Sequence, residues 1–168
     1  DPEALDHELR VVDVPDAHVH FGEDELLFFS RVDIAMAVAV DGGLVTPVIR
    51  DVASSSLSRI GQMSRLLSEK ARAGRLLPED YQGGTVSVSN LGMFGIDGMV
   101  PVINPPQALI FGFAAGIEQP WNVDGRLALA NVMAATASSD HRAIDGVVAA
   151  RFMAAFRATV ETPLRLIS

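Results

Sequence analysis

Two short apolar segments place the strongest constraint on how this chain folds. Residues 31–40 (RVDIAMAVAV) alternate at first and then become apolar throughout, and residues 108–115 (ALIFGFAA) are continuously apolar. Segments of this length and composition are typical of strands that are buried on both faces of a sheet. Such strands must be covered by other elements, so the pattern predicts a layered protein.

Turn signals divide much of the remaining chain into further strands. An Asp-Gly-Gly turn precedes a strand at residues 44–49, a strand at 85–89 alternates in polarity, and an Asp-Gly hairpin precedes a strand at 127–137. With the two apolar segments, these predict a sheet of five or six strands.

Two amphipathic helices accompany the strands. The first begins at Ser56, carries its apolar residues at helical spacing and ends at Gly74. The second begins near Val147, has apolar residues four positions apart and ends at Pro163. Residues 4–12 also fit a short helix. The elements together predict an α/β (α+β) two-layer sandwich, in which helices cover one face of a mixed sheet.

Composition indicates one self-associating domain. The 168 residues are enough for a single core, and we expect one domain with an irregular segment at residues 1–13. Apolar residues make up 49% of the chain and the mean hydropathy is +0.28, a surplus that subunit interfaces would bury. No apolar run approaches the roughly 18–20 residues of a membrane span, so no membrane partner is expected.

Charge and metal-ligand content narrow the classes of partner. A net charge of −8 argues against nucleic acid. The cations between residues 59 and 75 fit a solvated helix face, although they could also meet an anionic partner. The chain has no cysteine, and His7, His18 and His20 lack a metal-binding spacing, so no metal is expected. His18 and His20 are interpreted as structural.

The most informative polar segment is the run Ser-Ser-Asp-His-Arg-Ala-Ile-Asp-Gly at residues 138–146. It places His141 on a short loop between a strand and the last helix. Imidazole titrates near neutral pH, so a rigidly held histidine can serve as a general base. The alternative is an ordinary turn with an exposed or packed histidine.

Several ordered motifs carry a resemblance to a known family. The chain resembles the acyltransferase cores of 2-oxo-acid dehydrogenase complexes, and within them most resembles the pyruvate dehydrogenase acetyltransferases. The motifs extend from about residue 14 to the C-terminus. They are Ser-Asp-His-Arg-Ala-Ile-Asp-Gly at 139–146, and the segments 32–40, 43–50, 83–95, 103–108 and 163–167.

The resemblance implies a reaction and a set of site residues. The reaction is acyl transfer, acetyl above all, between S-acyl-dihydrolipoyl-lysine and coenzyme A. His141 would be the general base that deprotonates coenzyme A, and Ser89 the hydroxyl that stabilises the oxyanion; the alternative for Ser89 is a turn hydroxyl bonded to its own backbone. Asp145 would hold the histidine loop. The expected contacts to coenzyme A are Asn90, Leu91, Gly92 and Ser139.

The resemblance also implies a chloramphenicol-acetyltransferase-like fold and an assembly. Such cores are trimers in which His141 and Ser89 would come from different chains, and trimers join into a hollow shell. Leu164, Leu166 and Ile167 would contribute to that shell, or else pack against the end of the helix. Expected partners are other copies, a lipoyl domain, other dehydrogenase-complex subunits and a longer acyltransferase chain.

The front of the chain departs from the family pattern. Little of the family's arginine-rich N-terminal motif precedes Asp13, and the lipoyl and peripheral-subunit-binding domains are absent from this sequence. The chain is therefore expected to be an N-terminally shortened core, without an arginine partner for Asp145. Its acidic start predicts no signal peptide, and hence the cytoplasm of a bacterium or the mitochondrial matrix. A scaffold or assembly subunit with little or no catalysis remains the alternative function, and a chloramphenicol-type acetyltransferase is a third.

Overall fold

The computed structural model describes residues 14–162, in which three helices and nine strands form. The helices are α1 (Leu57–Arg72), α2 (Pro78–Tyr81) and α3 (Gly146–Glu161), with short 3₁₀ turns at Pro15–Ala17 and Gly92–Phe94. The strands are β1 (Val19–Phe21), β2 (Leu26–Phe28), β3 (Ile34–Met36), β4 (Val38–Val40), β5 (Gly43–Val45), β6 (Val48–Ile49), β7 (Val86–Asn90), β8 (Leu109–Val123) and β9 (Arg126–Ser139).

A mixed five-stranded sheet lies at the centre of the molecule. Its strand order is β6-β3-β7-β8-β9, in which β7 runs parallel to both β3 and β8 and the outer pairs are antiparallel. Two antiparallel pairs, β1-β2 and β4-β5, lie outside it. Strands β8 and β9 continue beyond the sheet as a two-stranded ribbon, closed by a turn at Asp124 and Gly125 with positive φ at both residues.

One face of the central sheet is apolar and carries the helices. Phe111 and Phe113 on β8 face α3, with the Phe111 ring centroid 4.8 Å from that of Phe152 and 5.4 Å from that of Phe156. Met36 lies on the same face, and its sulfur accepts a hydrogen bond from Ser64 of α1 at 3.1 Å. Truncating one such aromatic ring typically costs about 3–5 kcal/mol. Both long helices, α1 and α3, thus lie on the same face of the sheet, which confirms the predicted placement.

The opposite face of the sheet is more polar and is crossed by a loop. Ser87 and Ser89 of β7 share this face with Gly112, whose added Cβ would lie 3.0 Å from Met99 and Pro101. The Thr136 hydroxyl donates to the Met99 carbonyl at 2.6 Å and holds the loop there. Glycine at position 112 thus lets the loop lie directly on the sheet.

The predicted strands at residues 31–40 and 44–49 are wrong in their continuity. Each is divided into two short strands, of which one belongs to the central sheet and one to the β4-β5 pair. The reason lies at Pro47, which has no N–H to donate to the ladder. Opposite this break, the Ala37 N–H donates to the Val88 carbonyl at 2.8 Å, so pairing with β7 continues one residue past the end of β3.

Two further predictions meet the structure differently. Strands β8 and β9 exceed the predicted 108–115 and 127–137, because pairing with each other carries the polar segment around Pro120 into the ribbon. The predicted helix at residues 4–12 and the helix stop at Pro163 lie outside the described residues. Among the described helices, none combines the length and apolar character that crossing a bilayer requires.

Candidate active site

His141 lies at the apex of a short turn that is fixed at both ends. The Asp140 N–H donates to the Ala108 carbonyl at 2.8 Å and so extends the β8-β9 ladder by one step. The Ala143 and Ile144 N–H groups both donate to the Asp140 carbonyl at 2.9 Å. Ile144 is fully buried in the core beside α3, whereas His141 is exposed. The turn therefore presents the imidazole to solvent on a rigid base.

Asp140 and Arg142 form a two-point ion pair across the histidine. The guanidinium Nε and Nη2 lie 2.9 Å and 2.6 Å from the two carboxylate oxygens, and the Arg142 N–H donates to the same carboxylate at 3.1 Å. These hydrogen bonds hold the pKa of Asp140 below its usual range, and the bond from the Arg142 side chain has the largest effect. On its other side the guanidinium carbon lies 4.1 Å from the centroid of the Phe21 ring.

Asp145 caps helix α3. Its carboxylate accepts hydrogen bonds from the N–H groups of Val147 at 2.8 Å and Val148 at 2.9 Å, which are free donors at the helix start. The Val148 hydrogen bond is the largest of the influences that keep the pKa of Asp145 below its usual range. Within residues 14–162 no arginine forms an ion pair with this carboxylate, whose side-chain partners there are the N–H groups of the helix terminus.

Ser89 lies near the end of β7 in a groove on the polar face of the sheet. Its half-buried hydroxyl has no hydrogen-bond partner among the described residues, whereas Ser87, two residues earlier, donates to the side-chain oxygen of Gln107. The groove has a volume of about 400 Å³. Its walls are Ala37, Leu44, Thr46, Met99, Val100, Pro101, Val102, Ile103, Asn104 and Ile110.

Ser89 and His141 do not meet within one chain. Ser89 pairs with Gly112 in the sheet, whereas Ser139, at the base of the histidine turn, pairs with Leu109 on the next strand interface. The Cα atoms of Ser89 and Ser139 are therefore about 14 Å apart, because they are offset by two strand spacings across the sheet and by three residues along the strands. His141 lies two residues further from Ser89 along the chain, beyond hydrogen-bond reach of its hydroxyl.

The remaining predicted contacts fall beside one or the other of these two groups. Asn90, Leu91 and Gly92 form the turn that follows Ser89, closed by a 2.9 Å hydrogen bond from the Gly92 N–H to the Asn90 side chain. A Cβ at position 92 would lie 2.6 Å from the Ala114 carbonyl oxygen, so only glycine fits there. Ser139 is half-buried at the end of β9, next to the histidine turn.

A buried polar cluster also emerges that sequence patterns alone do not show. His18 Nε2 lies 2.6 Å from the Thr85 hydroxyl, and His20 Nε2 lies 3.2 Å from the Thr85 carbonyl. Asp33 is nearly fully buried and pairs with Arg31 and Arg50 at 2.7 Å and 3.2 Å. Every one of these groups has a protein partner, so the cluster ties β1 to the central sheet, as expected for structural histidines. Among the described residues no three side chains are arranged to hold a metal ion.

Sequence reasoning missed two contributors to the site. The loop at residues 99–104 lines the groove over Ser89, and Phe21 supports Arg142 from a distant part of the chain. The sequence signal of the loop is its apolar valines in a proline-containing segment without strand alternation, and the structure leaves Val100 and Val102 82% and 85% exposed. Phe21 carries none, because its contact depends on how the β1-β2 pair docks.

The two-layer sandwich and the exposed histidine on a capped turn agree with the class of acyltransferase cores that the sequence motifs predict. Residues 9–168 match the family described as 2-oxoacid dehydrogenases acyltransferase (catalytic domain), and the chain belongs to this family. The predicted family is thereby confirmed.

Named relatives place the chain more closely. It is 47% identical over 154 residues to the dihydrolipoyllysine-residue acetyltransferase component of the pyruvate dehydrogenase complex of Zymomonas mobilis, covering 92% of this chain and 35% of that protein. It is 46% identical over 140 residues to the mitochondrial pyruvate dehydrogenase protein X component of Mus musculus, covering 80% and 28%. The chain thus spans about a third of the length of the curated relatives it matches.

Solved structures confirm the fold. A probable dihydrolipoamide acetyltransferase from Listeria monocytogenes superposes with a TM-score of 0.87 at 29% identity, covering 94% of this chain and 67% of that one. The dihydrolipoamide acetyltransferase of Azotobacter vinelandii gives 0.87 at 28% identity, covering 98% and 71%. A chloramphenicol acetyltransferase gives a TM-score of 0.53 at 15% identity, covering 90% of this chain and 74% of that one. This likeness shows the fold alone and confirms the predicted fold class.

Proposed function

We propose that this chain is the catalytic core of a dihydrolipoamide acyltransferase, which transfers an acetyl group between S-acetyl-dihydrolipoyl-lysine and coenzyme A. The observation that carries the proposal is the exposed imidazole of His141 on a turn held by Asp140, Ile144 and the capped start of α3. A base on such a turn keeps its position while a thiol approaches.

The positions of three polar residues support the proposal. For the Azotobacter vinelandii enzyme, a serine, a histidine and an asparagine have been investigated for their role in the catalytic mechanism, with the serine 52 residues before the histidine and the asparagine four after it. Ser89 and Asp145 have the same spacing from His141 here, with aspartate in place of asparagine. We assign the three residues corresponding roles.

The reaction begins with removal of a proton from coenzyme A. The His141 imidazole accepts the thiol proton, and the thiolate sulfur attacks the thioester carbonyl carbon. The imidazolium then returns the proton to the dihydrolipoyl sulfur as its bond to the carbonyl carbon breaks.

Ser89 stabilises the tetrahedral intermediate between these two steps. Negative charge develops on the former carbonyl oxygen, and a hydroxyl that has no partner among the described residues is free to donate to it. A fixed donor of this kind lowers the activation free energy by about 3 kcal/mol. Asn90, Leu91, Gly92 and Ser139 line the approach of coenzyme A, and Asp145 holds the turn without moving a proton.

The proposed site requires two copies of the chain. Because His141 and Ser89 of one chain are too far apart to act on one carbonyl, the base of one copy faces the hydroxyl of its neighbour in a trimer. Large apolar side chains that a monomer exposes would be covered in such an assembly. The most exposed are Val102, Val100, Leu127, Met93, Leu129 and Phe94, at 85% to 65%.

We propose that trimers join into a larger shell that receives a lipoyl domain and other dehydrogenase-complex subunits, in a bacterial cytoplasm or a mitochondrial matrix. A similar chain forms the cubic core of a pyruvate dehydrogenase multienzyme complex, with a TM-score of 0.86 at 30% identity over 98% of this chain and 68% of that one. Leu164, Leu166 and Ile167 are proposed contacts between trimers.

A second candidate function is that of a scaffold subunit. The relative named protein X component is nearly as similar to this chain as the first acetyltransferase, although its name carries no activity. In this case the chain would assemble without transferring acetyl groups at a useful rate.

One assay separates the two candidates. Acetyl transfer from acetyl-CoA to dihydrolipoamide is measured for the wild type, His141→Ala and Ser89→Ala, with particle mass from light scattering. Ser138→Ala is the matched control, because Ser138 lies on the same sheet face as Ser89 but does not line the groove. The acyltransferase predicts activity that both active-site variants lose and the control keeps. Large particles without wild-type activity would establish the scaffold.

A further inference from the structure

We propose that Arg142 is a positioning residue for His141, and that it acts by stacking the histidine turn on Phe21 of β1. The inference rests on the proposed role of His141 as the base. Neither Arg142 nor Phe21 touches the reacting atoms in this account. Together they set the position and orientation of the imidazole relative to the sheet.

Arg142 bonds back to Asp140, so the residues on either side of His141 are joined to each other. Its main-chain N–H and its guanidinium both bond the Asp140 carboxylate, at 3.1 Å, 2.9 Å and 2.6 Å. His141 is the central residue of this three-residue segment, so the pair restrains its backbone from both sides. A lysine could not reproduce the two parallel hydrogen bonds.

Phe21 holds the Asp140–Arg142 ion pair in place relative to strand β1. The guanidinium carbon lies 4.1 Å from the Phe21 ring centroid, within the range of a cation–π contact. Phe21 ends β1, whose neighbouring residue His20 bridges Gln107 and whose Val19 carbonyl lies 3.4 Å from the Ala108 N–H. The Ala108 carbonyl in turn accepts the Asp140 N–H. The turn is thus held to β1 by its main chain and by the arginine.

Exposure argues that this arrangement orients the turn and contributes little to stability. The Arg142 side chain is 66% exposed and that of Asp140 is 20% exposed, and exposed ion pairs stabilise folds only weakly. The turn already has the buried Ile144 and the Asp145 cap to keep it folded. What these leave unspecified is the direction of the apex residue, which the arginine fixes.

The test compares variants of the full chain in its assembled form. Arg142→Ala is expected to lower kcat about tenfold and Phe21→Leu about fivefold, with little change in KM for coenzyme A, because small misplacements of a base act on the chemical step. Phe21→Tyr keeps an aromatic face and should retain the wild-type rate. Arg157→Ala is the matched control, since it removes an exposed arginine–carboxylate pair at 2.8 Å on α3.

The decisive measurement repeats Arg142→Ala and Phe21→Leu in a His141→Ala background at raised enzyme concentration. A positioning role predicts no further loss there, since no base remains to be placed. An equal loss in both backgrounds, or no loss in the first, would overturn the inference while leaving the proposed function intact. Full activity of His141→Ala itself would overturn the proposed function.

Discussion

Ile144 is fully buried three residues after the exposed His141, so the most solvated part of the turn is attached directly to the core. The main chain between them is short and hydrogen-bonded to the Asp140 carbonyl, which fixes the base of the turn that carries the histidine. A turn fixed in this way can present a polar side chain without losing order.

Truncation of Ile144 should therefore lower the stability of the protein. Ile144→Ala is expected to lower the free energy of unfolding by about 2–5 kcal/mol, because it leaves a cavity in the core. Thermal unfolding followed by circular dichroism measures this loss. Ile117→Ala is the control, since Ile117 lies on the β8-β9 ribbon with 39% of its surface exposed, and it should cost much less. Equal losses for the two variants would contradict the anchoring role.

Much of the fold can be predicted from sequence because its signals are local. The Ser56 cap and the apolar spacing of α1 place that helix to within two residues at each end, and the Asp-Gly pair places the β8-β9 turn correctly. The division at Pro47 could have been predicted from the missing N–H alone. The length of the ribbon could not, because residues such as Glu118 and Asn122 become strand only through their partners on β9.

Sequence motifs propose the residues of the candidate site but do not give their geometry. The motif at residues 139–146 identifies His141 and Asp145, yet it does not show that Asp145 caps α3. The separation of Ser89 from His141 within one chain follows from sheet register, which depends on contacts between distant strands. Phe21 enters the site through docking of a hairpin, which leaves no periodic signal in the sequence.

Gly92 provides a prediction about the turn beside Ser89. Gly92→Ala places a methyl group 2.6 Å from the Ala114 carbonyl oxygen, so the turn at residues 90–92 must shift. We expect a loss of about 1–3 kcal/mol in stability from overpacking, and a lower rate of acetyl transfer. Gly98→Ala is the matched control, because nothing lies within 4 Å of its added Cβ. Chemical denaturation of both variants makes the comparison, and comparable stability for the two would refute the close-contact argument.

The buried histidines predict how stability depends on pH. Burial lowers the pKa of His18 and of His20 below the ordinary histidine value, although hydrogen bonds to backbone carbonyls and the charge of Asp33 partly oppose this for His18. A carbonyl can only accept, so neutral His18 carries its proton on Nδ1 toward Phe29. Its Nε2 lies 2.6 Å from the Thr85 hydroxyl, which also lies 3.1 Å from the Asp33 carbonyl oxygen and has one proton for the two acceptors.

The sign follows from the lowered pKa. The unfolded chain binds protons at these histidines more readily, so their contribution to stability is present above a pH of about 6.5 and is lost as the pH falls toward the folded pKa values. Urea unfolding at a series of pH values between about 4.5 and 8 should show this decline. His18→Gln should make the decline shallower, and an unchanged slope would exclude His18 as a contributor.

Mixing of two inactive chains tests whether the site lies between copies. His141→Ala and Ser89→Ala chains are co-expressed in equal amounts with different tags, and mixed assemblies are purified through both tags. If base and hydroxyl come from neighbouring copies, one of the three sites in every mixed trimer carries both intact groups, so about one quarter to one third of the wild-type activity returns. The control replaces the Ser89→Ala chain with a chain that carries both substitutions, which removes every base and should restore nothing. Mixed assemblies that stay inactive would show that both groups must lie on one chain, in conflict with the separation that the sheet register imposes.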